Sequence, residues 1–313
     1  MEKIQIGSAG HPEQVLQRLE FEAAFMREEG FVVDVVRRRR GAVTYHEVYC
    51  RPTDRVAAAY GEAAEQASLV RHHLANAVSD LIVNLWEKKI IASLVAQECG
   101  ALEPDERRLV ARHAEVVLDG GSYPQDGGLG RKVARKGHVL RQVDGYLVEN
   151  RVLDIDGFVR FRLKDYMRLL ESVIEQAVDE FMVEKEYREF ILLLKHFLAA
   201  QEPRVDRVHV LVSRDGGFRL VDDEGCSISE QFLAECLTES GTKDVNRDDL
   251  LISALITIAP RRLKLHLPSG AEGEGLRTLR AVFADRLSVC HGCDLCGLKA
   301  LRLAEESEKK VYH

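Results

Sequence analysis

No run of 18 apolar residues occurs in the 313-residue sequence, so no segment reads as a transmembrane helix. The first ten residues (MEKIQIGSAG) lack the basic-then-apolar leader and small-residue cleavage site of an exported chain. Together these absences set a cytoplasmic protein as the expectation. Positive charge is not in excess either: 44 Lys and Arg against 51 Asp and Glu give a formal net charge of −7. That balance argues against a chain held on nucleic acid or membrane by bulk charge, although a local basic patch can still act. The seven cysteines are odd in number in a chain without an export signal, so a disulfide framework is not expected. The sequence shows no internal repeat of solenoid length, no Gly-x4-Gly-Lys-Ser/Thr phosphate loop, and no recognisable Ser, His and acid arrangement. Fibrous, disordered and membrane-spanning classes are excluded, and a catalytic motif is missing. What is present, 46% hydrophobic and 30% charged residues, suits a globular chain of two or three domains.

The opening reads strand, helix, strand, strand. Ile4 and Ile6 alternate with polar residues, Pro12 sits near the first position of a helix that Gly30 stops, and two strand-like runs flank Arg37-Arg38-Arg39-Arg40-Gly41. Residues 1–52 are thus a β-α-β-β unit. From Arg55 to Ala101 apolar residues recur at steps of three and four, over a length that predicts two helices with a break near Arg71 to His73 or Glu87 to Lys89. A further helix begins at Pro104, and the Gly-rich stretch 119–130 is a loop because its glycines and Pro124 favour turns. Helical periodicity resumes from Arg131 to Gln201, and within it the runs Leu163 to Phe181 and Tyr187 to Phe197 form an antiparallel pair or continue with a kink around Glu184 to Glu186. The helical body is 53–203. After Pro203, alternation at Val208, Val210 and Val212 predicts strands in a mixed α/β module, 204–297, followed by a charged tail, 298–313. The predicted class is α+β: a predominantly helical central body between the N-terminal unit and the C-terminal module.

The sharpest chemical signal is Cys290-His-Gly-Cys293-Asp-Leu-Cys296. Two-residue gaps let several thiolates turn toward one centre, and thiolates suit zinc or an iron–sulfur cluster. Each needs a fourth ligand: Cys226, Cys236 or Cys50 would suit a cluster, whereas zinc also accepts His266 or His291. The spacing matches the start of the bacterial ferredoxin run, but the run's final Cys and Pro are absent. Reduced structural thiols or thiol redox chemistry are the plainer readings.

Arg131, Lys132, Arg135 and Lys136 place four bases at a helix start, where backbone donors also favour anions, and they are the anion-binding candidates. A linker beside a basic helix face is the simpler account. Arg37 to Arg40 could grip phosphate, yet at a hairpin tip such a run reads first as solvated. The pair Asp154 and Asp156 fails the grammar of a calcium loop and reads as an Asx turn or helix cap, with Asp156 bonding backbone donors. His46 with Glu47, and His72 with His73, suggest only neutral, solvated histidines.

The string from Val152 to Tyr166, carried by Gly157, Phe158, Phe161, Arg162, Leu163 and Tyr166, resembles the hallmark segment of the YtxC-like family of sporulation proteins. The resemblance implies a cytoplasmic protein of sporulation context with no assigned activity, and it transfers no catalytic residues. Read by chemistry alone, Phe158, Phe161 and Tyr166 would bury while Arg160, Arg162 and Lys164 form a cationic side. The functional expectation is a non-enzymatic interaction or metal-dependent regulatory protein with a protein partner. The alternatives are an iron–sulfur or thiol redox protein and a nucleic-acid or nucleotide binder using the basic patches.

Overall fold

The structure is a computed structural model that describes residues 2–120, 128–213, 217–228, 247–267 and 273–293. Among the described residues it is α+β, mostly helical, with two four-stranded mixed sheets. The chain divides into two compact units, Met1–Val183 and Glu184–His313. Among the described residues, no helix is long and apolar enough to cross a membrane.

The N-terminal unit opens with β1 (Glu2–Ser8), α1 (Pro12–Glu29), β2 (Phe31–Arg40) and β3 (Val43–Pro52), the expected β-α-β-β order. Ile4, Ile6, Val33 and Val48 point to one face and are buried with Val15, Leu19, Ala23 and Met26 of α1. Gly30 ends α1 at φ 106°, a left-handed conformation that glycine adopts without steric cost. The arginine run is not a loop tip: Arg37 to Arg40 pair in register with His46 to Val43 as the end of β2, so they alternate between the two sheet faces.

Next come α2 (Asp54–Tyr60), α3 (Ala63–Leu81), a π-helical turn (Ile82–Trp86), α4 (Glu87–Glu98) and α5 (Pro104–Leu118). The break in this stretch lies at Gly61 and Glu62; Arg71 to His73 is inside α3, and before Glu87 the helix only widens into the π turn without stopping. Then follow α6 (Gly128–Glu149), β4 (Val152–Asp154), α7 (Ile155–Arg162) and α8 (Lys164–Ala200), a single helix across the stretch where a pair or a kink was anticipated. β4 adds in parallel beside β1, giving the sheet order β2-β3-β1-β4. Sheet and helices share one apolar core running from Ile4 to Phe181.

The string from Val152 to Tyr166 occupies β4, α7 and the start of α8. Asp154 Oδ1 caps α7 by accepting from Gly157 N at 2.7 Å. Asp156 works differently from its expected role: it accepts from Ala9 N at 2.9 Å and Trp86 Nε1 at 2.8 Å, tying the π turn to the end of β1. Phe158, Leu163 and Tyr166 are buried, whereas Phe161 is 65% exposed and Arg162 lies over the Tyr146 ring. Tyr166 donates its hydroxyl to Glu87 in a buried network with Arg135.

Two histidines depart from the solvated reading. His46 is buried, and burial lowers its pKa and keeps it neutral. His73 bridges Glu22 at 2.8 Å and Glu29 at 2.9 Å, and the hydrogen bond to Glu22 holds its pKa above the ordinary 6.5. A raised folded pKa gives stability that is complete below the unfolded value and lost as pH rises through the folded one. Chemical denaturation should therefore show stability declining above about pH 6.5. His73→Gln should flatten that limb, and an equally steep limb in the variant would remove His73 as its source.

The C-terminal unit contains β5 (Arg207–Val212), β6 (Phe218–Val221), α9 (Arg247–Ile258), β7 (Arg262–His266), α10 (Glu274–Val282) and β8 (Leu287–Val289). Its sheet order is β6-β5-β7-β8, with β5, β7 and β8 parallel and β6 antiparallel. Val208, Val210, Leu263 and Leu265 form its apolar face, packed with Leu251, Leu255 and Ile258 of α9 and with Leu279 and Phe283. Ile191 and Leu198 of α8 belong to the same core. The helix α9 stops before Ala259, at φ 46°, and Pro260, as the proline predicts.

Candidate metal centre

Parallel strands that start together also end together, and β7 and β8 bring His266 and Cys290 to the same end of the sheet. Leu265 pairs with Val289, so His266 and Cys290 are the next residues along the two strands. The chain then turns at Gly292, whose φ of 135° favours glycine, and Gly292 N donates to Cys290 Sγ at 3.4 Å. This turn carries Cys293 back toward the sheet. The ligand atoms of His266, Cys290 and Cys293 all lie within 4.8 Å of one another.

Cys293 Sγ is 3.6 Å from His266 Nδ1. A tetrahedral ion with arms of about 2.1 Å to nitrogen and 2.3 Å to sulfur has an edge of about 3.6 Å between those ligands. That edge of the ligand set therefore has the length zinc requires. His266 is 3% exposed, while both cysteines are partly buried, so the protein closes one side of the site and the knuckle forms the other.

Behind the ligand set runs a chain of ring nitrogens. His266 Nε2 meets His209 Nδ1 at 2.9 Å, and His209 Nε2 meets Asp223 Oδ1 at 2.9 Å. With Nδ1 of His266 as a ligand, its Nε2–H donates to His209, which in turn donates to the carboxylate. Asp223 is held below its ordinary pKa first by the hydrogen bond from His209 and also by Arg207. A carboxylate at the end of such a relay orients the ligating ring and increases its basicity. His209 is 6% exposed, so this polar pair sits in a dry surrounding where its hydrogen bonds have high stakes.

The other sequence candidates separate. Cys296 and Cys236 lie outside the described residues. Cys226 is exposed in a turn where Asp222 Oδ1 accepts from the backbone of Glu224 and Cys226; those three donor groups are close together, and the turn accounts for the carboxylate. His291 is exposed between the two cysteines. Cys50 is a core residue of the N-terminal unit, and burial pushes its thiol up to about 12, which leaves it unsuited to ligate.

Nor do the four anion-binding candidates converge on one point. Arg135 is buried and donates to Glu87, to Asp119 Oδ1 at 2.7 Å and to the Leu118 carbonyl at 3.0 Å. Lys136 pairs with Asp80 at 2.6 Å. Lys132 is half-buried, and Arg131 lines an open hollow of about 690 Å³ that includes the His113–Glu180 pair. His209 and Asp223 were not legible as site residues: each looks like an ordinary polar position, and strand register alone unites them with His266.

A family model described as the YtxC-like family matches residues 72–288, more than half of the chain. The match contains His209, Asp223 and His266 and stops short of Cys290. Among curated proteins, "Uncharacterized protein YtxC" of Bacillus subtilis (strain 168) is 27% identical over 207 residues, covering 65% of this chain and 71% of that protein. No solved structure matches.

Proposed function

The chain belongs to the YtxC-like family, and from that premise we propose that it is a cytoplasmic, sporulation-associated protein whose C-terminal unit is a zinc-dependent interaction module without catalytic activity. One observation carries the zinc reading: His266, Cys290 and Cys293 present their ligand atoms within 4.8 Å at the ends of β7 and β8. Cys296, three residues after Cys293 and outside the described residues, is our choice of fourth ligand on its sequence spacing alone, giving a Cys3His set. A histidine with its outer nitrogen tied to a carboxylate relay supports a zinc site over a four-cysteine cluster. Such an ion would tie the Cys290–Cys293 turn to the ends of β7 and β8 and so shape a surface for a protein partner.

Metal and acid-labile sulfide analysis on anaerobically purified protein tests this. Zinc without sulfide is expected; iron with sulfide would replace the reading by a cluster protein. Loss of the gene without a sporulation defect would contradict the biological context. His209 has a separate expected effect, since removing an outer hydrogen-bond partner costs about 10- to 100-fold in metal affinity. In a chelator competition, His209→Phe should weaken zinc binding by that amount, and unchanged affinity would deny the relay its role.

A further inference from the structure

We propose that the open face of the N-terminal sheet binds single-stranded RNA, stacking bases on Tyr45 and Tyr49 and contacting phosphates through Lys3, Arg38 and Arg40. The register defines this face. Lys3, Gln5 and Gly7 of β1 stand beside Tyr49, Glu47 and Tyr45 of β3, and Arg38 of β2 stands on the other side of Tyr45. These residues point away from the apolar face under α1, because side chains alternate along each strand. Lys3, Arg38 and Arg40 are exposed, and both tyrosines are partly so.

The rings are held as platforms. A Cβ on Gly7 would come within 2.6 Å of the Tyr45 ring, so the ring lies down onto bare backbone. The Arg40 guanidinium sits 5.7 Å from its centroid. Tyr49 is fixed by donating to Glu47 at 2.6 Å, and Lys3 lies 5.2 Å from its ring centre. Four strand steps put the two tyrosine Cα atoms about 13 Å apart, far enough for each ring to take its own base. Glu47 accepts from Gln5 at 2.7 Å and pairs with Lys3 at 3.2 Å and Arg38 at 4.0 Å, so it is already neutralised, and a phosphate shares those two cations with it.

Aromatic faces flanked by cations on a polar sheet match the chemistry of an unpaired nucleotide, whose base stacks while its phosphate is neutralised. The face is too polar and charged for a lipid surface or an apolar helix. The lone pairs of the Tyr49 hydroxyl and the Asp34 carboxylate next to it in register can accept from a 2′-hydroxyl, which favours RNA over DNA. The overall charge of −7 confines the attraction to this patch.

The test is fluorescence anisotropy of the full chain with a labelled short single-stranded RNA, the DNA of the same sequence and the RNA duplex, at low salt. Binding to single-stranded RNA is expected, weaker for the other two. Tyr45→Leu and Tyr49→Leu should each weaken it on the order of tenfold, while Tyr45→Phe keeps the ring and the affinity. Arg38→Gln with Arg40→Gln should reduce the log–log salt slope by about 1.4, two phosphates at about 0.7 each. Thermal melting confirms folding of each variant, and Cys293→Ser should leave RNA binding intact because the metal centre is in the other unit. Absence of RNA binding, equal affinity for DNA, or full binding by a folded Tyr45→Leu protein would overturn the proposal.

Discussion

Cys293→Ser is expected to lower zinc affinity by roughly two to three orders of magnitude. Structural zinc sites bind with about 10–16 kcal/mol, and sharing that among four ligands gives about 2.5–4 kcal/mol for each. Serine keeps the size of the side chain but offers an oxygen that stays protonated, so the loss is chemical more than steric. Cys290→Ser and His266→Ala should follow it, since the three ligand atoms occupy one cluster. Cys226→Ser and His291→Ala are the controls and should hold zinc as the natural chain does, Cys226 being in a separate turn and His291 exposed. Because the ion binds the folded site and not the unfolded chain, chelation should also lower the unfolding temperature of the C-terminal unit. Competition with a chromophoric chelator reads the affinities directly, and a Cys293→Ser protein with undiminished affinity would remove the knuckle from the site.

Arg135→Met should destabilise the N-terminal unit by about 3–5 kcal/mol, because it strips the counter-charge from a buried carboxylate. Glu87 is 6% exposed, Arg135 reaches it at 3.1 Å and 3.3 Å, and Tyr166 donates to the same carboxylate. Burial and the neighbouring Glu87 charge both push the Tyr166 hydroxyl above its ordinary pKa, so it stays a donor at any pH where the protein folds. Replacing Glu87 by Leu alongside Arg135→Met and Tyr166→Phe should recover most of the loss, as well-packed apolar groups replace a buried ion pair at little cost. Urea denaturation of the single and triple variants tests this. A single variant as stable as the natural chain would show that the pair is hydrated and the network energetically idle.

Much of the framework was legible before any coordinates. Gly30, Pro104 and Pro260 mark helix ends by backbone sterics, which act locally and therefore show in sequence. Alternation at Ile4 and Ile6 and at Val208 and Val210 is likewise local. The approach of Cys290 and Cys293 showed for the same reason, the two being three residues apart. His266 stood only as one fourth-ligand candidate among several, because its proximity to Cys290 follows from the register of two parallel strands separated by a helix. His209 and Asp223 gave no signal at all. The basic cluster misled in the opposite way: Arg135 looked like a solvated cation at a helix start, yet it is consumed by a carboxylate 48 positions earlier. Arg37 to Arg40 read as a tip since nothing local says that the strand continues through them, and only the pairing with Val43 to His46 sorts them into two faces.

X-ray absorption at the zinc edge of the purified protein reads the ligand set itself. Three sulfurs at about 2.3 Å and one nitrogen at about 2.0–2.1 Å are expected, with the imidazole signature lost in His266→Ala. A shell of four sulfurs, a shell of light atoms alone, or protein that retains no zinc would contradict that set.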